Sequence, residues 1–316
     1  MFKTYEKYII RNFLNKFLTI SIIFLSLIVI LSILEEISFF KNVNANFFIP
    51  YFLTILGAPI TLFDIFPFIF LISTQFLFYD LFKKDELNLF KINGLSNLKI
   101  IKILSILSFT IGIITVLIFY NAASKLKFFY TDIKNQYSDG NKYLAVVTDS
   151  GLWLKDEIND SILIIKATSI ENDYLLDVLI NEFDDDFNLI NTIQSNKINI
   201  KNRLWVIDNP LITKKNITDK KTNQLIIRTN FDKEKIKTLF SNISTLHLLE
   251  LFDLKKDYEK LGYSSTEITQ HLLTLFSTPF FYTILTLLSA IIMFNMSKNK
   301  SLFFQIIFGV SMSVII

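Results

Sequence analysis

The sequence predicts an α-helical membrane domain interrupted by an inserted all-β, jelly-roll-like domain. Three observations carry that prediction. Four stretches are almost free of charge, each near the roughly 20 residues that cross a hydrocarbon core of about 30 Å. Between the third and the fourth, the pattern changes from continuous apolar runs to period-two alternation. Lysine and arginine gather on alternate loops, as they do on the cytoplasmic side of membrane proteins. Of the 316 residues, 51% are hydrophobic and only 19% charged, which excludes a disordered chain. There is no cysteine and there are two histidines, which excludes a disulfide scaffold, thiolate metal sites and a histidine-built metal cluster.

The spans follow in order. Residues 17–34 carry no charge and form the first. A run of that length, with no small-residue cleavage site before Glu35 and Glu36, reads as an uncleaved anchor and not a removed signal. Residues 42–79 carry one charge, Asp64, and contain Pro59 and Pro67. They are too long for one crossing. They read as a short interfacial helix near 47–56, a break at 57–59 and a second span over 62–82. Residues 103–124 form the third span and 272–296 the fourth. Residues 301–316 would begin a fifth.

Orientation follows from the flanking cations. Lys3, Lys7, Arg11 and Lys16 precede the first span. Lys83, Lys84, Lys91, Lys99 and Lys102 lie between the second and third, and Lys298 and Lys300 follow the fourth. Lys41 stands alone after the first span, beside Glu35 and Glu36. The N-terminus is therefore expected in the cytoplasm and the β domain outside.

Residues 121–271 hold twenty basic and twenty-two acidic side chains. The net charge of +3 thus belongs to the cytoplasmic flanks, and a basic nucleic-acid surface is excluded. Strands are predicted over 142–148, 151–155, 161–167, 174–183, 189–200, 203–212 and 224–228. They are separated by turn residues such as Asp139, Gly140, Ser150, Asn159 and Asp160. Seven short strands at this spacing suggest a sandwich or jelly roll. Asp184, Asp185 and Asp186 read as a solvated hairpin turn in preference to a cation site. Trp153 and Trp205 could bind a ligand, although tryptophans in strands more often anchor a core. A helix is predicted over 245–260 with Gly262 as its stop, and Ser264 with Glu267 offers a capping box opening the fourth span. His247 and His271 lack partners at ligand spacing and read as surface or interfacial residues. The expected division is 1–124, 125–244, 245–271 and 272–316.

Much catalytic chemistry is missing. There is no phosphate-binding G-x-x-x-x-G-K-[ST], no G-x-S-x-G and no H-E-x-x-H. Asp64 and Gln75 are the only notable polar residues within the spans, which disfavours a proton relay. Energy for any transport would come from a partner. The place for it to push is the loop at 85–98. Its acids sit at a helix start, Leu87, Leu89, Phe90 and Ile92 give an apolar side, and Gly94 can end the helix. The simpler reading is an amphipathic helix on the bilayer surface.

In their order these parts resemble the lipopolysaccharide export permeases of the LptF/LptG (YjgP/YjgQ) family. The resemblance rests on the N-terminal span, Pro59 and Pro67, Glu86-Leu87 with Gly94, the β domain after the third span, and Pro279 in the fourth. The stretch from Gly151 through Leu152, Trp153, Leu154 and Lys155 to Asp156 is more similar to the LptG branch. Arg203, Leu204, Trp205 and Val206 look like a later strand of that domain.

The resemblance implies a non-enzymatic permease subunit without cofactor or metal, in the bacterial inner membrane. A sister permease (LptF or LptG), a dimer of the ATPase LptB, and LptC and LptA are the implied partners, with lipopolysaccharide as substrate. The lipid would enter laterally beside the first span and pass through the β domain to a periplasmic β bridge. Asp85, Glu86, Leu87, Leu89, Phe90 and Gly94 would form the ATPase-coupling helix, and Ser32, Glu35, Lys41, Trp153 and Trp205 would lie along the lipid path. Some relatives carry lysines at the outer end of the first span, where this chain has Ser32, Glu35 and Glu36. The family has six spans, so this chain is expected to stop inside the fifth. The competing readings are a membrane-anchored interaction or sensor protein and a mechanotransmission subunit of another ATP-driven system.

Overall fold

The computed structural model describes residues 3–41, 43, 45–137, 152–158, 161–171, 173–184, 186–214, 217–219, 224–239, 242–260 and 263–295, with 304, 307 and 311 beyond them. The expected strand at 142–148, the residues Asp139, Gly140, Ser150, Gly151, Asn159, Asp160, Asp185 and Gly262, and most of 301–316 lie outside the described residues. The chain divides into two compact units, Met1–Tyr130 with Gln270–Ile316, and Thr131–Thr269.

In the first unit, four described helices are long and apolar enough to cross a membrane. Helix α1 (Thr4–Phe40) contains neither proline nor glycine and is about 55 Å long at 1.5 Å per residue. Glu6 Oε2 accepts the Lys3 N–H at 2.8 Å, satisfying one of the orphan donors at the helix start. Ile9, Phe13, Phe17 and Ile20 are buried at the three- and four-residue spacing of one helical face. Leu18, Ile22, Ile23, Leu27, Ile30 and Leu31 are exposed on the others.

Helix α2 (Ile49–Lys83) corrects the sequence reading. It runs unbroken, with Pro50 in its first turn and Pro59 and Pro67 inside it, where an interfacial helix and a break at 57–59 were expected. Each internal proline removes one backbone donor. A helix surrounded by other helices tolerates that loss, because neighbours and local adjustment satisfy the freed carbonyl. Gly57 marks a close approach instead of a break: the Tyr130 ring lies 3.5 Å from the position of an added Cβ.

Aromatic rings hold the bundle on α2. Phe70 is fully buried, with ring centroids of Phe17 at 4.9 Å, Phe13 at 6.2 Å and Tyr282 at 4.5 Å. Phe66 adds Phe17 at 5.8 Å and Phe119 at 5.0 Å. Such offset and edge-on pairs contribute roughly 0.5–1.5 kcal/mol each beyond area burial.

A short helix α3 (Glu86–Ile92) follows. The next span is one 39-residue helical run, Asn97–Asn135. It comprises α4 (Asn97–Ile114), a π-helical segment (Thr115–Tyr120) and α5 (Asn121–Asn135), and so extends past the expected end at 124. The fourth long apolar helix, α8 (Thr266–Asn295), carries Pro279 internally. It opens at Thr266, between the two residues of the expected capping box, and Ser264 Oγ meets Thr266 Oγ1 at 3.0 Å. Helices α4 and α8 meet at Gly112, where an added Cβ would lie 2.6 Å from the Pro279 Cα. Ser108 Oγ and Thr286 Oγ1 share a buried hydrogen bond of 2.9 Å, and Ser289 Oγ donates to the Leu71 carbonyl of α2 at 3.0 Å. Small residues and hydroxyls at helix crossings are the usual glue inside a bilayer.

The second unit holds nine described strands: β1 (Leu152–Ile158), β2 (Ser161–Ala167), β3 (Ser169–Glu171), β4 (Tyr174–Phe183), β5 (Leu189–Asn199), β6 (Leu204–Asp208), β7 (Leu211–Lys214), β8 (Ile217–Asp219) and β9 (Gln224–Arg228). All pair antiparallel; six follow the order β1-β2-β4-β5-β6-β9, while β3 pairs with β4 and β8 with β7. Strand β5 divides its free edge, giving Ile198 and Asn199 to β6 and Thr192–Gln194 to β7. The expected strand at 203–212 is two strands, because Asn209 takes a positive φ of 46° and Pro210 follows it without a ladder donor. Leu152 and Leu154, Ile165 and Ala167, Val178 and Ile180, and Trp205 and Ile207 are buried at the alternate positions a half-covered sheet requires.

Two described helices complete the unit. Helix α6 (Lys233–Leu239), absent from the sequence reading, starts at Asp232, whose Oδ1 accepts the Lys235 N–H at 2.9 Å. Helix α7 (Leu248–Lys260) is opened by His247. Its Nδ1 accepts the Glu250 N–H at 3.2 Å, while its own N–H donates to Glu250 Oε2 at 3.0 Å. His247 therefore caps a helix.

Gly112→Ala should force α4 and α8 apart and lower the thermal midpoint of the detergent-solubilised chain, by an amount equivalent to about 1–3 kcal/mol. Thr110→Ala on the exposed side of the same helix, where the hydroxyl bonds only its own helix carbonyls at 3.0 and 2.8 Å, should leave the midpoint nearly unchanged. Equal midpoints for the two variants would refute the close-approach account.

Candidate functional site

The loop between the second and third spans is built around one unusual residue. Asp85 has φ 58°, in the left-handed region that non-glycine residues enter at a cost of about 1–2 kcal/mol. Its Oδ1 accepts from Asn88 Nδ2 at 2.8 Å, a local hydrogen bond of the kind that lets Asp occupy this region. The chain turns there, immediately after α2 ends, and α3 begins at Glu86. Gly94, with φ 77°, ends the segment, and the Leu95 N–H donates to the Phe90 carbonyl at 2.9 Å. That is the six-to-one bond of a Schellman stop.

Of the apolar residues in α3, only Leu87 is buried, at 3% exposure, while Leu89 and Ile92 lie open at 55% and 82%. Glu86 is not aimed freely at solvent. Tyr8 Oη of α1 donates to Glu86 Oε1 at 2.8 Å and Oε2 at 2.9 Å. The Tyr8 ring stands edge-on to Phe90 at 6.3 Å. Nearby, Lys16 of α1 pairs with Asp80 of α2. The six loop residues singled out in the sequence thus form one local structure, and the sequence reading missed Tyr8. Its only sequence signal is a tyrosine among the cations of the first helix.

At the far end of α1, Ser32 is half-buried and Glu35 and Lys41 are exposed, while Glu36 turns inward. Tyr130 Oη donates to Glu36 Oε1 at 2.7 Å, and the Lys127 ammonium stands 4.1 Å above the Tyr130 ring. A second link, at the end of the π-helical segment, joins Tyr120 Oη to His271 Nε2 at 2.8 Å. His271 therefore has a hydrogen-bond partner 151 residues away, which spacing along the chain could not reveal.

In the β unit the two tryptophans separate. Trp205 is fully buried and its Nε1 donates to the Phe231 carbonyl at 2.9 Å, the environment of a core anchor. Trp153 is 45% exposed, with Lys166 Nζ 5.1 Å from its ring centre and Tyr263 Oη donating to its carbonyl at 2.9 Å. A crevice of about 360 Å³ is lined by residues including Lys155, Asp156, Glu157, Arg203, Lys235 and Lys260. Most of its charge is spent internally. Lys155 pairs with Glu157 at 2.7 Å and Lys235 with Asp257 at 3.5 Å, and Asp156 accepts from both nitrogens of Asn230 at 2.9 and 2.8 Å.

Asp184 supports the turn reading of its cluster. Its carboxylate accepts from Asn188 N at 2.7 Å, from Asn188 Nδ2 at 3.1 Å and from Asp186 N at 3.1 Å. Those bonds, the Asn188 amide first, hold the carboxyl below the usual carboxylate range. Among the described residues, no group of three or more His, Cys, Asp or Glu side chains converges as a metal site.

The profile of the family described as lipopolysaccharide export system permease LptF/LptG matches residues 7–316. The chain belongs to that family. It is a multi-pass inner-membrane permease subunit of lipopolysaccharide export, a transport protein and not a catalytic one. No individual curated protein matches it.

The depressed carboxyl of Asp184 fixes a sign. Its contribution is complete above the unfolded carboxylate value of about 3.9 and is lost as pH falls through the lower folded value. Asp184→Asn should therefore melt earlier than the parent at pH 7 and show a shallower fall between roughly pH 5 and 2. Added calcium should move neither midpoint. A calcium-dependent rise in the parent alone would restore the cation reading.

Proposed function

We propose that this LptF/LptG permease works with a sister permease and a cytoplasmic ATPase of the LptB type. It would extract lipopolysaccharide from the inner membrane and pass it toward LptC and LptA. The observation that carries this reading is the family match over essentially the whole chain, which takes in the membrane helices, the loop and the β unit together. On this reading the N-terminus and α3 face the cytoplasm and the β unit faces the periplasm. Support comes from Lys3, Lys7, Arg11 and Lys16 on one flank and Lys83, Lys84, Lys91 and Lys99 on the loop.

We take α3 as the coupling segment. Leu89 and Ile92 are its exposed apolar contacts, Leu87 is its seat, and Asp85 and Gly94 set its two ends. The exposed aliphatic face of α1 borders the lateral entry of the lipid, with Ser32, Glu35 and Lys41 near the headgroup. The β unit is a jelly roll with Trp153 on the route onward. Support for that reading is the divided edge of β5, which pairs with β6 along one part and with β7 along another. Trp205 is assigned to the core and leaves the path. Either the sister permease supplies further cation for lipid phosphates or the lipid headgroup differs, and the LptG branch is favoured by the sequence Gly151–Asp156.

Two measurements test this. The tagged chain should copurify with an ATPase, and Glu86→Lys should weaken that association by about tenfold or more, the scale of a misplaced interfacial charge. Undiminished association would remove α3 from the docking surface. A photoreactive residue replacing Trp153 should form lipopolysaccharide adducts during ATP turnover. Adducts with protein alone would favour an interaction or sensor module.

A further inference from the structure

We infer that Tyr8 is a positioning residue that ties α1 to the coupling segment, so that a displacement of α3 carries the first membrane helix with it. The inference rests on the reading of α3 as the segment the ATPase engages.

The tie has two parts on one face of α3. Glu86 and Phe90 are four residues apart and therefore neighbours on the helix surface. Tyr8 touches both, through its hydroxyl to the two carboxylate oxygens and through its ring edge to Phe90. A hydrogen bond to an ionised carboxylate is stronger and better directed than one between neutral groups. The backbone route from α2 to α3, by contrast, passes through the turn at Lys84 and Asp85, and a turn transmits little force along a helix axis. Tyr8 offers a side-chain route around it.

The other end of the tie is firm. Ile9 and Phe13, one residue and five residues beyond Tyr8, are fully buried. Phe13 packs on Phe70 at 6.2 Å. Lys16, eight residues on, pairs with Asp80, about 12 Å further along α1 at 1.5 Å per residue. A pull on Glu86 thus acts on a stiff helix. The same helix bears the exposed aliphatic face at Leu18, Ile22, Ile23 and Leu27.

The carboxylate retains capacity for a partner. Its two oxygens offer about four acceptor positions, and one hydroxyl donor occupies only part of them. Tyr8 therefore leaves Glu86 able to accept from a partner.

The test uses the full permease complex with its ATPase in proteoliposomes. Tyr8→Phe keeps the ring and removes the hydroxyl. It should leave assembly and basal ATP hydrolysis unchanged while lipopolysaccharide released per ATP falls about fivefold. Tyr8→Phe combined with Glu86→Gln should lose no more than the worse single variant. Because the chain has no cysteine of its own, Tyr8→Cys with Phe90→Cys gives a unique pair for a short bis-maleimide. Cross-linking should restore the yield that the unlinked pair loses, which a merely structural role would not predict. Normal yield in Tyr8→Phe, or a loss that cross-linking does not repair, overturns the inference. Amide exchange separates it from the docking reading. In the permease chain alone, Tyr8→Phe should speed exchange over 86–92 about tenfold, and unchanged exchange there refutes the tie whether or not an ATPase binds. Failure of the parent chain to retain an ATPase, with exchange raised as expected, would instead fault the docking reading and leave the tie supported.

Discussion

The packing of aromatic rings around α2 is the constraint on which the membrane unit depends. Phe70 is enclosed by Phe13 and Phe17 from α1 and Tyr282 from α8. Phe63 meets Tyr120 at 5.2 Å beyond it. Inside a bilayer, helices gain nothing from leaving water, so close packing and interhelical hydrogen bonds must hold them together. Rings supply that contact area at low conformational cost. The rest follows from the seating of α1. With Ile9 and Phe13 fixed, Tyr8 reaches α3. With Tyr282 fixed, Pro279 sits against Gly112, and α8 takes up the hydroxyl pairs with Ser108 and the Leu71 carbonyl.

Most hydroxyls in this unit bond a carbonyl of their own helix, and a smaller set of polar groups forms specific pairs between elements. Ser108 with Thr286, Ser289 with the Leu71 carbonyl, Tyr130 with Glu36 and Tyr120 with His271 each join two elements distant in sequence. Gln75 and Ser73, in the middle of α2, are buried without a hydrogen-bond partner among the described residues. None of these pairs forms a chain of ionisable groups across the bundle.

The sequence made some parts legible and hid others for definite reasons. The first, third and fourth spans were readable because charge exclusion over twenty residues has few competing explanations. The expected break at Gly57–Pro59 failed, because proline and glycine interrupt helices mainly where neighbours cannot compensate. Strands β2, β4 and β9 appear at their expected limits. Strands β3 and β8, at three residues each, are too short to show alternation, and the division between β6 and β7 depends on the backbone conformation of one asparagine. In the loop, the ends of α3 were visible in Asp85 and Gly94, since both are local signals. The partner of Glu86 was not, because Tyr8 lies 78 residues away and no local pattern encodes a long-range contact. The separate fates of Trp153 and Trp205 were hidden similarly, since both sit in strands of similar composition.

The exposed face of α1 has a thermodynamic consequence. It is a surface mostly of leucine and isoleucine, on which the hydroxyls of Thr19 and Ser26 bond carbonyls of their own helix. Acyl chains and another helix of the same chemistry offer it almost the same environment. Exchanging one neighbour for the other is thus close to isoenergetic, and parting such a seam requires little work. The aromatic face on the opposite side of the same helix remains committed to α2. One helix therefore combines a face committed to α2 with a face whose surroundings can be exchanged at little cost.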